Sequence, residues 1–510
     1  MTGRSLFRVL RWVGLAAVAP VLWACNARSL EKPILKPEQT YGKTFQQSIN
    51  RNVDLLFMVD NSSSMRLSQN NLLTNFPAFM TKLADPPGLP NIHVAVVTSD
   101  MGAGDGSISG CAATPPNGYA GNNGIFQYSG NVIPPATTPC TSGLNAGATY
   151  ISNIGGVLNY TGNLPDVFKC IAAVGESGCG FEHQFASILR ALGADGLGPP
   201  PAENQGFLRP DAYLVVILIT NEDDCSVPPG VQLFDTTVNN SLMTQLGPPA
   251  NFRCNEFGHL CSMGGGAPMH PSRFAPGNDQ AATVTYDSCS SNDTEGYLLG
   301  ARDTAAKLKA LKPMDPSMVL VAAITGAPTP YQVHWKAPSI MDTSCGAQSC
   351  PWPEITHSCV AQDTSFADPA VRVKEFVDQF GGNGLTLSIC DNSFGPALDN
   401  IATLINQSLK PPCITGQIAK KPGTQDDDCT IVSHTSNGSG GYIDSIVPSC
   451  ASNGGQQPCW QFTNAAGCAG QIIDSTKLMD PNVSMSTSQN ATVNCALCTA
   501  GVTDAARGCP

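Results

Sequence analysis

Long apolar runs separated by helical periodicity constrain this chain more than any other feature. Val53 to Val59 is apolar except for Asp54. A run without alternation reads as a strand buried on both faces, as in a parallel sheet between two helix layers. Leu72, Leu73, Phe76, Phe79, Met80 and Leu83 then fall at helical spacing, and Pro86-Pro87-Gly88 ends that helix. Ile92 to Thr98 is a second apolar run, so the unit is strand–helix–strand with a right-handed crossover. Further strands are expected at Ala212 to Thr220, Met318 to Ile324 and Leu385 to Ile389. Helical periods occupy Phe181 to Leu192, Tyr297 to Leu311, a stretch from Val371, and Leu398 to Leu409 before Pro411-Pro412. The alternation predicts an α/β fold, doubly wound around a mostly parallel sheet.

This pattern spans residues 51–411 and is interrupted at about 101–180, 225–290 and 326–368. These stretches read as insertions of loops and short strands held by disulfides. From 412 to 510 cysteines crowd the chain, Gly and Ser are dense and helical periodicity is absent, which predicts a small β-rich C-terminal domain. Residues 25–50 are polar and aperiodic and read as a tether; no internal repeat is visible. Hydrophobic residues make up 42% and charged residues 13%, with 50 Gly and 40 Pro, a composition suited to a globular chain with long loops. The net charge of −12 gives no footprint for nucleic acid and suits cations instead.

The N-terminus carries an export signal. Arg4, Arg8 and Arg11 precede an apolar stretch from Trp12 to Ala24, too short to span a bilayer, and Leu22-Trp23-Ala24-Cys25 follows. That ending resembles the lipobox of bacterial lipoproteins, which implies removal of residues 1–24 as a signal peptide and lipidation of Cys25. Asn26, where an Asp would retain such a protein, then implies the outer membrane. Loss of those three Arg takes the net charge from −12 to −15. Of 21 Cys, setting Cys25 aside leaves an even number, as a disulfide framework in an exported protein requires. Cys495-Ala-Leu-Cys498 has redox spacing but no strand–helix context, so it reads as structural.

The chemistry sits where the first strand ends. Asp60-Asn61-Ser62-Ser63-Ser64 has the form D-x-S-x-S and opens a helix. The plain alternative is a turn with Ser62 or Ser64 as helix cap. Leu55-Leu56-Phe57-Met58-Val59-Asp60-Asn61-Ser62-Ser63-Ser64-Met65 resembles the opening of von Willebrand factor A domains with a metal-ion-dependent adhesion site, and the resemblance runs over about residues 51–410. It implies a divalent cation, Mg²⁺ in the first instance, with Ser62 and Ser64 as direct ligands and Asp60 direct or through water. Hydroxyl ligands leave such an ion electrophilic, so a carboxylate from a protein or other acidic ligand completes its shell.

The family pattern has two further contributors, and the chain departs from both. Where a Thr is usual, Gly178-Cys179-Gly180-Phe181-Glu182 has none; Glu182 supplies an oxygen or simply complements a helix dipole. Where Asp follows Thr after the fourth strand, Thr220 is followed by Asn221-Glu222-Asp223-Asp224, leaving Asn221, Asp223 and Asp224 as candidates. Extra carboxylates would favour Ca²⁺ or Mn²⁺ over Mg²⁺. Asp100, after the second strand, is a candidate for the same site or a second cation; its alternative is a solvated turn acid, as for Asp391, and Asp426-Asp427-Asp428 reads as a solvated turn.

Nucleotide-binding loops, H-E-x-x-H and G-x-S-x-G are absent from the sequence, and the seven His, among them His93 and His183, form no ligand-spaced pair. The expectation is therefore a non-enzymatic surface protein that binds a partner through the cation. Two alternatives are an envelope module with a degenerate, Ca²⁺-stiffened site, and a metal-dependent hydrolase using Glu222-Asp223-Asp224.

Overall fold

The computed structural model describes residues 45–510 apart from 86–87, 105, 132, 134–137, 237–240, 280, 314, 337–349, 410–413, 415, 437–441, 464–471, 475–477, 479–488, 500 and 502. The leader and Cys25 lie outside the described residues, as do Pro411, Pro412 and Cys413.

The stretch read as a tether ends in a strand, β1 (Phe45–Asn50). After Arg51 come β2 (Asn52–Val59), helix α1 (Arg66–Leu83) and β3 (Asn91–Thr98). The first insertion contributes a small hairpin, β4 (Ile151–Ile154) and β5 (Val157–Leu158), and helix α2 (Leu164–Ile171). The alternation then resumes with α3 (Gln184–Leu192), β6 (Tyr213–Ile219), α4 (Ala301–Ala310), β7 (Val319–Thr325), α5 (Val371–Asp378), β8 (Gly384–Ser388) and α6 (Gly395–Ser408).

The molecule is a mixed α/β protein around a seven-stranded sheet in the order β8-β7-β6-β2-β3-β4-β5. Strands β8 to β3 pair parallel, and the β4–β5 hairpin adds an antiparallel edge. Alternate residues of β2 serve opposite helix layers, which is why the run needed no polar face. Leu55, Phe57 and Val59 pack with α1, α2 and α6. Leu56 and Met58 pack with α3, α4 and α5. Phe57 meets Phe168, Phe76 and Phe79 at ring distances of 4.8, 5.9 and 6.1 Å. Truncation of a buried Phe to Ala typically costs about 3–5 kcal/mol.

Asp54, the polar break in that run, is fully buried near the amino end of β2. Its carboxylate accepts from the Arg209 backbone N–H at 2.7 Å and from Arg209 Nε at 2.8 Å. Helix α4 starts later than its periodicity predicts. Asp293 accepts from the backbone N–H groups of Ala301 and Arg302 at 2.9 and 3.1 Å, so a distant carboxylate fixes the first turn.

The insertions are held as expected, by Cys111–Cys179, Cys140–Cys170, Cys225–Cys254 and Cys261–Cys289. Cys359–Cys390 ties the third insertion to the loop after β8. After α6 the C-terminal region contributes β9 (Cys429–Ser436), β10 (Tyr442–Val447) and β11 (Gln489–Cys495) to an antiparallel sheet ordered β1-β11-β9-β10. It has its own core, with Ile431, Trp460, Ile473 and Val493. Cys495 bridges Cys429 and Cys498 bridges Cys509, so the redox-spaced pair is structural. Every cysteine among the described residues is disulfide-bonded. No helix among them is long and apolar enough to cross a membrane.

Candidate metal centre at the carboxyl end of the sheet

Strand register assembles the centre. Val59 pairs with Thr98 on one side and Ile219 on the other, so the next residues, Asp60, Ser99 and Thr220, meet at the strand ends. The Asp60 carboxylate is fully buried. Its Oδ1 accepts from the Ser62 backbone N–H at 2.8 Å and Ser99 Oγ at 3.2 Å, and its Oδ2 accepts from Thr220 Oγ1 at 2.9 Å. Burial pushes its pKa up, and these hydrogen bonds pull against that.

Ser62 and Ser64 open the helix without capping it. Neither the short 3-10 turn Ser63–Met65 nor α1 has a side-chain cap hydrogen bond. Instead Ser62 Oγ lies 3.1 Å from Ser64 Oγ, and Ser64 Oγ donates to Asn221 Oδ1 at 3.2 Å. The Asn221 amide is held from behind, donating to the Phe366 carbonyl at 3.1 Å. Three neutral oxygens thus form a row in front of a buried carboxylate.

The loop before α3 closes one side. The Gly178 backbone N–H donates to the Asn61 carbonyl at 2.9 Å, and a Cβ on Gly178 would lie 2.3 Å from Asn61 Oδ1, so any larger residue would have to displace the Asn61 side chain. Gln69 Nε2 donates to the Asp60 carbonyl at 3.1 Å and the Gly175 carbonyl at 2.7 Å, tying α1 to both loops.

Carboxylates accumulate beside the row. Glu182 is 2% exposed, and its Oε1 is buried with no hydrogen-bond partner. Burial first, then the charges of Glu222 and Asp60, raise its pKa well above the ordinary value. Glu222 is raised to about 8 by burial and by Asp368 and Asp60. Asn251 Nδ2 donates to Glu222 Oε2 at 3.0 Å, and His357 pairs with Asp368 at 2.6 Å. Glu182, Glu222 and Asp368 line a cavity of about 20 Å³, room for one water-sized occupant. Neither Asp60 nor Glu182 nor Glu222 has an ion-pair partner among the described residues. Asn61 Oδ1 and Gln184 Oε1 are also buried without a partner. Among the described residues no three His, Cys, Asp or Glu side chains form a metal cage; the converging oxygens are of mixed type.

Asp223 and Asp224 are corrections to the ligand set. Asp223 Oδ2 accepts from the Arg372 backbone N–H and His259 Nε2, both at 2.8 Å, and Oδ1 accepts from the Val373 backbone N–H at 3.0 Å. Burial opposes its charge, yet His259 and Arg372 hold its carboxyl below the usual value. Asp224 accepts from the Phe185 backbone N–H at 2.9 Å and pairs with the buried Arg372 guanidinium at 3.0 Å. The two acids cap α5 and α3, and their oxygens are already taken. Asp100 is likewise occupied: its Oδ1 accepts from the Gly102 backbone N–H at 3.0 Å, and Gly121 packs against the carboxylate. It closes a loop. Asp391 is exposed. Asp427 and Asp428 are paired with Lys420 and Arg507, so they are not simply a solvated turn. His93 and His183 are buried, and burial lowers each pKa to about 4.

The centre also uses Ser99, Thr220, Glu222 and Asp368, which the motif did not single out. Setting the ends of the parallel strands side by side would have found Ser99 and Thr220. Glu222 was visible only as part of an acidic run, and no local pattern marks Asp368.

No family model and no curated protein matches the chain. Among solved structures it is similar to the human COPII-coat protein Sec24c, with a TM-score of 0.23 and 8% identity over 90% of this chain. The chain spans 41% of that protein's length. A likeness at this level carries no argument about fold family or function.

Proposed function

We propose that this chain is an exported, lipid-anchored binding protein. In this reading residues 51–411 form a von Willebrand factor A-type domain, whose divalent cation is held by Ser62, Ser64 and Asn221 with Asp60 behind them. The cation grips a carboxylate on a protein or other acidic ligand; the protein is not an enzyme.

One observation carries the reading. Neighbouring ligands in an octahedron sit about √2 bond lengths apart, roughly 3.0 Å for Mg²⁺–oxygen bonds of about 2.1 Å. The Ser62–Ser64 and Ser64–Asn221 oxygen separations are 3.1 and 3.2 Å. These groups stand between β2 and β6. Helix α1 leaves β2 on one face of the sheet and α4 precedes β7 on the other, so this is the switch point where open α/β sheets take ligands. The donor set fits a hard cation, and the unpartnered oxygens beside it fit coordinated water. When bound, the ion would supply a positive point for a partner's carboxylate. The chain's own part is positioning: Asp60 orients both serine loops, Gln69 locks the floor, and Gly178 lets the wall approach.

The hydrolase reading has less support, because Asp223 and Asp224 are spent on helix caps. The envelope-module reading differs in outcome. Envelope extract passed over the immobilised protein should yield a partner with Mg²⁺ or Mn²⁺ and lose it with EDTA. Cation-dependent melting with no cation-dependent capture would overturn the adhesion reading. Cys25→Ser should release the protein from membranes; unchanged membrane association would remove the lipid anchor.

A further inference from the structure

Glu182 and His183 are neighbours that face different spaces. Glu182 lines the small carboxylate cavity, whereas His183 lines a separate cavity of about 420 Å³. That size falls within the range of small-molecule sites, roughly 300–1,000 Å³.

Two insertions build its walls. Thr114, Pro116 and Tyr119 stand on one side, and Pro228, Pro229 and Phe234 on the other. Cys111–Cys179 anchors the first wall and Cys225–Cys254 the second. The walls meet at Gly104, where φ is +57° and a Cβ would lie 2.7 Å from the Phe234 carbonyl oxygen. The Phe234 ring sits 4.3 Å from Phe181 and stands edge-on to the His183 imidazole at 5.6 Å. Covalent bridges and rigid rings therefore hold the space open before any ligand arrives.

The lining states what fits. Among the described residues it contains no Lys or Arg, and Asp235 is the one acid, so none of them receives an anion. His183 Nδ1 lies 2.7 Å from the Phe181 carbonyl oxygen. A carbonyl only accepts, so Nδ1 carries the proton and Nε2 keeps its lone pair. His183 is 2% exposed and lines the cavity, and its Nε2 makes no hydrogen bond among the described residues. Proline and phenylalanine faces accept a flat ring, and the lone pair on His183 Nε2 accepts one N–H or O–H.

We propose that this cavity binds a small uncharged aromatic compound with a single hydrogen-bond donor, of the indole or phenol class, which donates to Nε2 of His183. The site stands apart from the cation centre and does not depend on it.

Calorimetric titration of the full, disulfide-intact chain with indole and with N-methylindole tests this. Indole should bind at one site, and N-methylindole, which lacks the donor, about tenfold more weakly, the loss of one net hydrogen bond. Val231→Trp should fill the cavity and abolish both while leaving cation titration unchanged. His183→Phe keeps a ring but no acceptor and should make the two ligands equal. Absence of saturable indole binding, equal binding of both ligands to the unaltered protein, or binding that survives Val231→Trp in a folded protein would each overturn the proposal.

Discussion

Asp54, near the amino end of β2, and Asp60, just past its carboxyl end, are both fully buried, and they are treated in opposite ways. Asp54 has its counter-ion built in: Arg209 reaches it through both its backbone N–H and its guanidinium, and the same guanidinium donates to the carbonyls of Val53 and Asn91. Asp60 has only hydroxyl and amide donors, and the titratable groups that sense its charge, Glu182 and Glu222, are acids whose pKa values it helps to raise, so neither brings a positive charge. A buried charge is stable when paired and costly when not. Among the described residues, the aspartate at the amino end of the sheet thus has a positive partner and the one at the carboxyl end has none.

The largest expected effect lies at the paired end. Asp54→Ala strands the Arg209 guanidinium and should destabilise the fold by about 3–5 kcal/mol. Denaturant midpoints measure this, and the loss should be the same with and without Mg²⁺. A loss that cation addition rescues would break the distinction between the two ends.

Asp60→Asn should do the reverse, changing cation-free stability by less than about 1 kcal/mol while weakening divalent-cation binding about 10–100-fold. Titration of Mg²⁺, Mn²⁺ and Ca²⁺ into both proteins decides it; equal affinities would put the ion elsewhere.

Proton release sharpens the contrast further. Glu222 has a pKa raised from 4.5 to about 8, so the folded chain holds that proton more tightly than the unfolded chain. Its contribution to cation-free stability is full below about 4.5 and is lost as pH rises through about 8. A cation displaces the proton, so affinity should rise by up to roughly tenfold per unit as pH climbs towards 8. Flat affinity between pH 6 and 8 would mean that Glu222 does not sense the ion. The smallest effect belongs to Asn221→Asp, which adds charge to the row and should tighten cation binding about fivefold. Unchanged affinity would take Asn221 out of the shell.

Sequence reading found the sheet because its strands are apolar without alternation. The run Ala212 to Thr220 returns as β6, and Val53 to Val59 as β2, within a residue or so at each end. Boundaries failed where a distant group set them, as Asp293 does for α4. Strand β1 was illegible because its partner, β11, lies at the other end of the chain. At the centre, Asp60, Ser62 and Ser64 were legible as a contiguous motif, while Glu182 and Asn221 entered only through the family pattern that the motif resembles. The two aspartates after Glu222 misled for a physical reason. Acids at a strand end serve a cation or a helix terminus equally well, and only the positions of α3 and α5 decide between them.

The pairing of β1 with β11 also makes the molecule a mechanical object. Tension entering along the chain before Phe45 meets a ladder running from Phe45 opposite Cys495 to Asn50 opposite Asn490. Load along that axis shears these hydrogen bonds together instead of peeling them in turn. The Cys429–Cys495 bridge passes part of it covalently to β9. Only what remains continues through Arg51 into β2, at whose far end the serines stand. In a protein held by its N-terminal segment, the C-terminal sheet would act as a strain-relief clamp, keeping a tug on the tether from shifting the row of Ser62, Ser64 and Asn221 oxygens.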